Sequence, residues 1–214
     1  MSFIMAVRPA WIIIDNKVVV EWFDFKWYSG FALSQVQRSV ESLHNAIKSH
    51  NPCASILEVA TKGSNPLGNC LSAFNLTLEG IPLECHFQSS KVFENGGPYL
   101  DLLKVNPKDA KGDTRLKTSG KLVNFTKDGV IWPLLPKTAF YDYIYIKAVR
   151  EKYGDNLDLK DYDFFTDIVF NPDKSINCQA RALTIYKLMQ QLDCFACMDN
   201  IIVWQAFHKV YVVY

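Results

Sequence analysis

This chain has no long apolar run and no recognisable targeting segment. No stretch of apolar residues reaches the roughly 20 that a membrane-spanning helix requires. Residues 1–10 lack the apolar centre and the small-residue cleavage site of a secretory signal peptide. We therefore expect a cytoplasmic protein that makes no contact with a membrane.

The chain also lacks an excess of charge of either sign, because its 23 Lys and Arg residues are balanced by 22 Asp and Glu residues. Such a balanced chain has no overall field that attracts nucleic acid, so any contact with DNA must come from a local patch. The segment from Lys104 to Lys121 is the one basic concentration, with six basic and two acidic residues and a local charge of +4. This pattern fits a solvated loop as well as a surface that binds a diphosphate or a DNA backbone.

Cysteine and histidine are too scattered to predict a disulfide framework or a metal site. The six cysteines include one C-x-x-C pair, Cys194 and Cys197, with no second pair and no histidine pair at metal spacing. We interpret the cysteines as reduced thiols of a cytoplasmic protein. We expect neither a metal nor a cofactor.

The sequence does hold apolar material for a substantial core, since 49% of its 214 residues are hydrophobic and 14% are aromatic. A β-branched and aromatic run from Trp11 to Tyr28, interrupted by polar residues, predicts a β-hairpin that continues into a strand. Apolar residues at helical spacing predict an amphipathic helix that starts at a capping box of Ser34 and Gln37 and ends near Ser49. Residues 54–59 predict another strand.

Beyond residue 60, turn formers and apolar spacings predict further helices separated by loops. In chain order we expect a loop at 61–69, an extended segment at 71–78, a helix at 83–93, another from Pro98, a helix at 137–153, an irregular segment at 162–170 and a last helix, capped by Ser175 or Asn177, that runs to Leu192. The residues after Cys194 are strongly apolar, and unburied they would promote association. The predicted class is α+β, with a mainly helical core and a β-rich N-terminal elaboration.

The most informative stretch is LECHFQSSKVF, residues 83–93. As a helix at about 100° per residue, it places Glu84, Gln88 and Lys91 within an arc of about 60°. Apolar residues such as Phe87 border this arc, so a carboxylate, an amide and an amine would line one edge of a packed face. This set is a candidate site, although a solvated helix face carries the same residue types.

Several separated motifs occur in an order typical of one known family: LSAFNLTL, LECHFQSSKVFENGGPYLDLL, SGKL, WPLLPKTAFYDYIYIKA and FTDIVFNPDKSINCQARA. From about Met5 to about Leu192 the chain resembles the NADAR family, specifically the branch found beside DarT-type toxins. Those toxins ADP-ribosylate guanine in DNA, and the branch is described as their antitoxin. The resemblance implies a glycohydrolase that removes ADP-ribose from guanine. Its substrate would be ADP-ribosylated, single-stranded DNA, and its functional counterpart would be a DarT-type toxin.

The resemblance also implies site residues. Glu84, Gln88 and Lys91 match the family's E-x-x-x-Q-x-x-K pattern, and the expected catalytic residues are Glu84, Lys91 and Asp167. The expected substrate-binding residues are Ser72, Phe74, Asn75, Gln88, Lys137, Asn177 and Arg181. Of these, Lys137 is expected in the first turn of its helix, where a cation opposes the helix dipole unless it meets an anion. Arg181 has a structural salt bridge as its alternative role.

The implied reaction breaks a C–N bond at an anomeric carbon, where a carboxylate stabilises positive charge or activates water and an acid helps the base leave. Lys91 either attacks the anomeric carbon and forms a Schiff base or stays charged. Two other functions stay open: an N-glycosidase on a small phosphoribosylated metabolite, and a non-catalytic module that binds ADP-ribose or the toxin. For the domains we expect a β-rich elaboration at 1–60, a NADAR-like catalytic core at 61–193 and an apolar tail at 194–214.

Overall fold

The protein is described by a computed structural model that covers residues 3–30 and 32–213. Its strands are β1 (Ile4–Ile14), β2 (Lys17–Trp27), β3 (Ile56–Glu58), β4 (Thr77–Leu78), β5 (Ile81–Pro82), β6 (Lys91–Phe93), β7 (Leu122–Lys127), β8 (Val130–Trp132) and β9 (Phe164–Thr166). Its α-helices are α1 (Leu33–His50), α2 (Pro66–Cys70), α3 (Leu83–Ser89), α4 (Pro107–Gly112), α5 (Arg115–Thr118), α6 (Ala139–Tyr153), α7 (Gln179–Gln191) and α8 (Ile201–Tyr211). The α+β class is confirmed.

The main sheet has four strands in the order β2-β1-β9-β3. The first two form the predicted hairpin, which turns through Asp15 and Asn16, both in the left-handed region at φ 48° and 57°; short polar residues tolerate that conformation in tight hairpin turns. Strand β9 lies antiparallel to β1 and parallel to β3. The chain thus returns after residue 160 to insert between the hairpin and β3.

Helices cover both faces of this sheet. The amphipathic α1 lies on one face and buries Val36, Val40, Leu43 and Ile47 in a core shared with Phe23 and other residues of the sheet. Helix α7 packs on the other face against β1, β2 and β9, and its contact with α6 helps to form the largest core. The predicted α1 is confirmed.

A second layer carries the motif at residues 83–93. The three-stranded antiparallel sheet β6-β7-β8 follows α3 directly, and α3 packs against α6 and α4. The single helix predicted over 83–93 is wrong, because α3 ends at Ser89 and Lys91 begins β6, where it pairs with Phe125. The pairing with β7 draws the chain out of the helix two residues before Lys91.

Several other boundaries differ from those predicted. The region 61–69 contains α2, capped by the Asn65 side chain, and the predicted extended segment at 71–78 contains a 3₁₀ turn at Ala73–Asn75 before β4. The helix predicted from Pro98 is a 3₁₀ helix at Leu100–Lys104. The segment 162–170 is not irregular throughout, because it contains β9.

The predicted caps are wrong. Ala32 precedes α1 and Cys178 precedes α7, and neither gives a side-chain cap bond. Lys137 lies two residues before α6 instead of within its first turn, since α6 begins at Ala139 after Thr138, which has a φ of 67°.

The apolar end of the chain is folded. Its α8 buries Trp204, Phe207 and His208, and the Trp204 indole N–H donates to the Ala139 carbonyl at 3.0 Å. Val212 forms a bridge with Val18 at the start of β2. Of the helices that the structure describes, none is long and apolar enough to cross a membrane.

Candidate functional site

Glu84, Gln88 and Lys91 are joined by two short hydrogen bonds. The Gln88 amide nitrogen donates to Glu84 Oε1 at 2.7 Å, and the Gln88 amide oxygen accepts from Lys91 Nζ at 2.7 Å. Glu84 and Gln88 lie one turn apart on α3, and Lys91, on β6, brings its amine to the same position. The predicted convergence of acid, amide and amine therefore holds, although Lys91 reaches it from a strand.

Lys91 is held in a half-buried position with its amine partly removed from water. Burial lowers the pKa of this amine, the Glu84 carboxylate opposes that shift, and the charge of Lys111 adds to it. The amine also lies 4.7 Å from the centre of the Phe87 ring. Gly97 packs on the strand here at φ 88°, where a Cβ would lie 2.3 Å from the Lys91 carbonyl oxygen. Only glycine fits at this contact.

Aromatic rings form one wall beside these residues. Phe87 contacts the rings of Phe125, Phe140 and Tyr141, with centroids 5.5, 6.5 and 5.4 Å away. Phe87, Phe125 and Tyr141 are only partly buried, so they present ring surface at the edge of the core. Such a surface suits a planar base, since aromatic faces stack on bases of any sequence.

Asp167 forms a second polar centre directly after β9. It is 5% exposed and accepts from the N–H groups of Val169 and Phe170, at 3.2 Å each. Burial and the neighbouring Glu58 carboxylate raise the pKa of Asp167 to about 8, against smaller opposing effects from Gln179 and the two N–H groups. Asp167 is therefore largely protonated at neutral pH.

Gln179, the first residue of α7, connects Asp167 to Ser72. The Gln179 amide oxygen accepts from the Ala73 N–H at 2.7 Å and from the buried Ser72 hydroxyl at 3.4 Å. Its amide nitrogen donates to the Val59 carbonyl at 2.5 Å. The loop at 71–75 and the ends of β3 and β9 are thus held together by one side chain.

Tyr141 of α6 is affected by charges from both centres. Burial raises the pKa of its hydroxyl well above the usual value, and the charges of Asp167, Cys178, Glu84 and Asp142 add to the shift. Both candidate acids are therefore within electrostatic range of this one hydroxyl.

The remaining predicted residues lie in varied positions. Phe74 is 62% exposed, and Asn75 is exposed and donates to the Asn69 carbonyl at 2.7 Å. Lys137 is exposed before α6, and Asn177 is partly buried in the loop between β9 and α7.

Arg181 is 2% exposed and is engaged inside the protein. Its guanidinium donates twice to Asp142, at 3.0 and 3.2 Å, and once to the Ile176 carbonyl, at 2.9 Å. His208 and Thr138 hydrogen-bond to the same carboxylate, each at 2.9 Å. The salt-bridge alternative for Arg181 is the one that the structure favours.

Sequence reasoning missed Tyr141, Gln179 and Glu58. Tyr141 belongs to a helix whose aromatic residues all read as core, and Gln179 follows a cysteine with no helix-capping signal. Glu58 is the next-to-last residue of the strand predicted at 54–59 and is 2% exposed, and its carboxylate accepts from the Thr166 hydroxyl and the Ile168 N–H at 2.7 Å each. An acid at the end of an otherwise apolar strand was the one available signal.

Three surface grooves lie elsewhere on the protein. The one with a volume of about 720 Å³ is lined by residues that include Asp15, His50, Asp163 and Lys187. None of the predicted site residues lines any of the three. The candidate site is therefore defined by the contacts of its side chains and not by these grooves.

The fold and the site define an α+β protein with an amide-bridged acid and amine and, separately, a buried acid whose pKa is raised. Residues 6–212 match the family model described as DarT1-associated NADAR antitoxin. The chain belongs to this antitoxin family, whose toxin counterpart is DarT1. The match includes the whole of α8, so the apolar end of the chain is part of the family domain. A comparison with curated proteins gives no match.

Proposed function

We propose that this protein is a glycohydrolase that removes ADP-ribose from guanine bases in DNA and thereby counteracts a DarT-type toxin. The observation that carries the proposal is the Gln88 bridge, which holds the Glu84 carboxylate and the Lys91 amine together without a direct ion pair between them. Family membership supports the antitoxin role.

In this proposal the C–N bond between the anomeric carbon and guanine breaks. Asp167, protonated near neutral pH because of its pKa of about 8, gives a proton to the departing base, which keeps the bonding electrons. Glu84 takes a proton from water, whose oxygen bonds to the anomeric carbon. The products are guanine in DNA and free ADP-ribose, and one water molecule is consumed.

Lys91 offers a covalent route to the same products. Its lowered pKa increases the fraction of neutral amine, and this form would attack the anomeric carbon, expel the base and open the sugar to a Schiff base. Water then hydrolyses the imine and restores the amine. If Lys91 stays charged instead, it orients Glu84 through Gln88.

The residues around the catalytic groups bind the substrate in this proposal. We assign Gln88, Ser72 and Asn177 to the ribose or the base edge, and Phe74, Asn75 and Lys137 to the parts of the substrate that extend towards the surface. In this proposal the rings of Phe87, Phe125 and Tyr141, which are only partly buried, stack on the base. Arg181 is assigned a structural role because Asp142 and Ile176 occupy its donors.

Co-expression with a DarT1 toxin separates an enzyme from a non-catalytic binder. We expect wild-type protein to restore growth and Glu84→Gln to fail, because the amide can neither take a proton nor stabilise positive charge. Glu41→Gln, an exposed change on α1, is the matched control and should restore growth fully. Rescue by Glu84→Gln at equal protein level would contradict catalysis and support a binding module.

A further inference from the structure

The exposed basic surface beside Lys91 is formed by α4, α5 and the residues next to them. We propose that this surface, defined as Lys104, Lys108, Lys111, Lys117 and Lys121, binds the phosphodiester backbone of the single-stranded DNA that carries the modified base. The inference rests on the proposed function for its meaning, but strand binding is measurable without any hydrolysis.

The five lysines are exposed and lack anionic partners. All five side chains are exposed, and within residues 3–30 and 32–213 none of them makes an ion pair. The segment has a charge of +4 in a chain whose net charge is +1, so the rest of the chain is acidic overall. A polyanion is therefore drawn to this surface and repelled from the remainder.

Arg115 differs from these lysines because its side chain makes contacts that hold the segment together. Its guanidinium pairs with Asp101 at 2.6 Å and with Asp113 at 2.8 Å, and it lies 4.4 Å from the Tyr99 ring. The Asp113 carboxylate also caps the turn, because it accepts from the Arg115 backbone N–H at 2.9 Å. The one arginine is thus engaged internally, and the lysines carry the outward charge.

A small separate core fastens this surface to the candidate site. Cys85 of α3, Leu102 and Ala110 of α4 are buried together, so α4 is held on the helix that carries Glu84 and Gln88. Lys111 is near enough for its charge to act on the Lys91 amine. A strand lying on α4 and α5 would therefore pass close to the reacting groups.

The spread of the charges favours a strand over a free diphosphate. Five separate ammonium groups on two helices and their flanks exceed what the two phosphates of one ADP-ribose can neutralise. Lysines are point charges that bind phosphates without reading base edges. A surface of this kind predicts salt-sensitive, sequence-tolerant binding.

The test uses Lys108→Gln/Lys117→Gln/Lys121→Gln, which leaves Lys111 in place because its charge acts on Lys91. The matched control is Lys48→Gln/Lys160→Gln/Lys209→Gln, three exposed lysines outside the segment. The probe is an unmodified single-stranded oligonucleotide, whose affinity is measured over a salt series. For single strands the slope of log affinity against log salt is about 0.7 per phosphate contact. We therefore expect the first triple variant to lose about 2 from this slope and at least tenfold in affinity at low salt, while the control matches wild type.

A second measurement separates this inference from the proposed function. Hydrolysis of an ADP-ribosylated guanine mononucleotide, which has no strand, should be equal in wild type and in the first triple variant. Equal slopes for all three proteins, or equal loss in the control, would overturn the strand surface even if hydrolysis is observed. Absence of hydrolysis in wild type with the expected change in slope would instead overturn the proposed reaction and leave the strand surface standing.

Discussion

The Gln88 amide separates the Glu84 carboxylate from the Lys91 amine and hydrogen-bonds to both. A carboxylate and an amine in direct contact would form an ion pair and keep the amine protonated. Here the amide stands between them, donating to one and accepting from the other, and its orientation is set because each end has only one suitable partner. Lys91 is thus oriented by a neutral group while burial lowers its pKa.

Lys91 should form a reducible adduct if it is the nucleophile. We expect borohydride added during turnover of ADP-ribosylated oligonucleotide to attach ADP-ribose covalently to Lys91 of the wild type, as measured by peptide mass. Lys91→Arg keeps the positive charge but has no amine that forms an imine, so it should give no adduct and no release. Undiminished release by Lys91→Arg would exclude the covalent route and leave the charge as the role of this residue.

Asp167 should make stability depend on pH. Its pKa is about 8 in the folded protein against an ordinary 3.8, so the folded state holds the proton more tightly. The associated stabilisation is complete below about pH 4 and is lost as pH rises through about 8. Asp167→Asn is neutral throughout and keeps an oxygen for the Val169 and Phe170 N–H groups.

We therefore expect the free energy of unfolding of Asp167→Asn to exceed that of wild type by an amount that grows between pH 4 and 8. The growth is at most about 1.4 kcal/mol per pH unit. Urea denaturation at a series of pH values measures the difference. A gap that stays constant over this range would show that the carboxyl is not protonated in the folded protein.

Residue spacing predicted the polar contacts better than it predicted their surroundings. The interval of four residues placed Glu84 and Gln88 correctly, because α3 is helical over both. Lys91 is in contact as predicted, but through β6. The role of Gln179 was beyond reach, since its partners Val59 and Ala73 each lie more than 100 residues away from it in the chain and only the tertiary fold brings them to it.

At the scale of elements, the apolar C-terminal residues form α8 and pack against the rest of the fold. The sequence shows their composition but not the surface that they cover. In the fold, Trp204 is 0% exposed and stacks beside Phe207 while it donates to α6. His208 reaches the same Asp142 that Arg181 binds. Three helices therefore meet at one buried carboxylate, directly next to Tyr141.

Trp204→Ala should strongly destabilise the protein. Truncating a fully buried aromatic side chain costs about 3–5 kcal/mol, and here the hydrogen bond to Ala139 is lost as well. Val210→Ala on the same helix, where the side chain is 56% exposed, should change the free energy of unfolding by less than about 0.5 kcal/mol. Chemical denaturation measures both. Equal, small effects would mean that α8 is not part of the cooperative fold.

Long periodic elements were predictable and short ones were not. The β1-β2 hairpin and α1 carry their periodicity over 11 or more residues each, so local pattern predicted their type, although the hairpin was predicted only from Trp11 and β1 begins at Ile4. Strand β9 has three residues, all buried, in an aromatic segment with no alternation. Its strand conformation comes from partners on both sides, β1 and β3, which the local sequence does not contain.

At the scale of the whole molecule, the two candidate acids come from distant parts of the chain, and the charges of both act on the Tyr141 hydroxyl. Glu84 belongs to the layer of α3 and the small sheet, and Asp167 follows the central strand of the main sheet. Helix α6 joins the layers and carries Tyr141, which feels both acids. The α+β class followed from the sequence, but the position of Asp167 depends on β9 lying between β1 and β3.

The central claim is that the Glu84, Gln88 and Lys91 centre hydrolyses ADP-ribosyl guanine in DNA. The most direct test incubates a guanine-ADP-ribosylated single-stranded oligonucleotide with wild type, Glu84→Gln and Glu41→Gln and measures free ADP-ribose in a single turnover. We predict complete release by wild type and Glu41→Gln, with the rate for Glu84→Gln reduced by at least about 100-fold, as expected for loss of an acid or base. Equal rates for Glu84→Gln and wild type, or no release by wild type, would contradict the account.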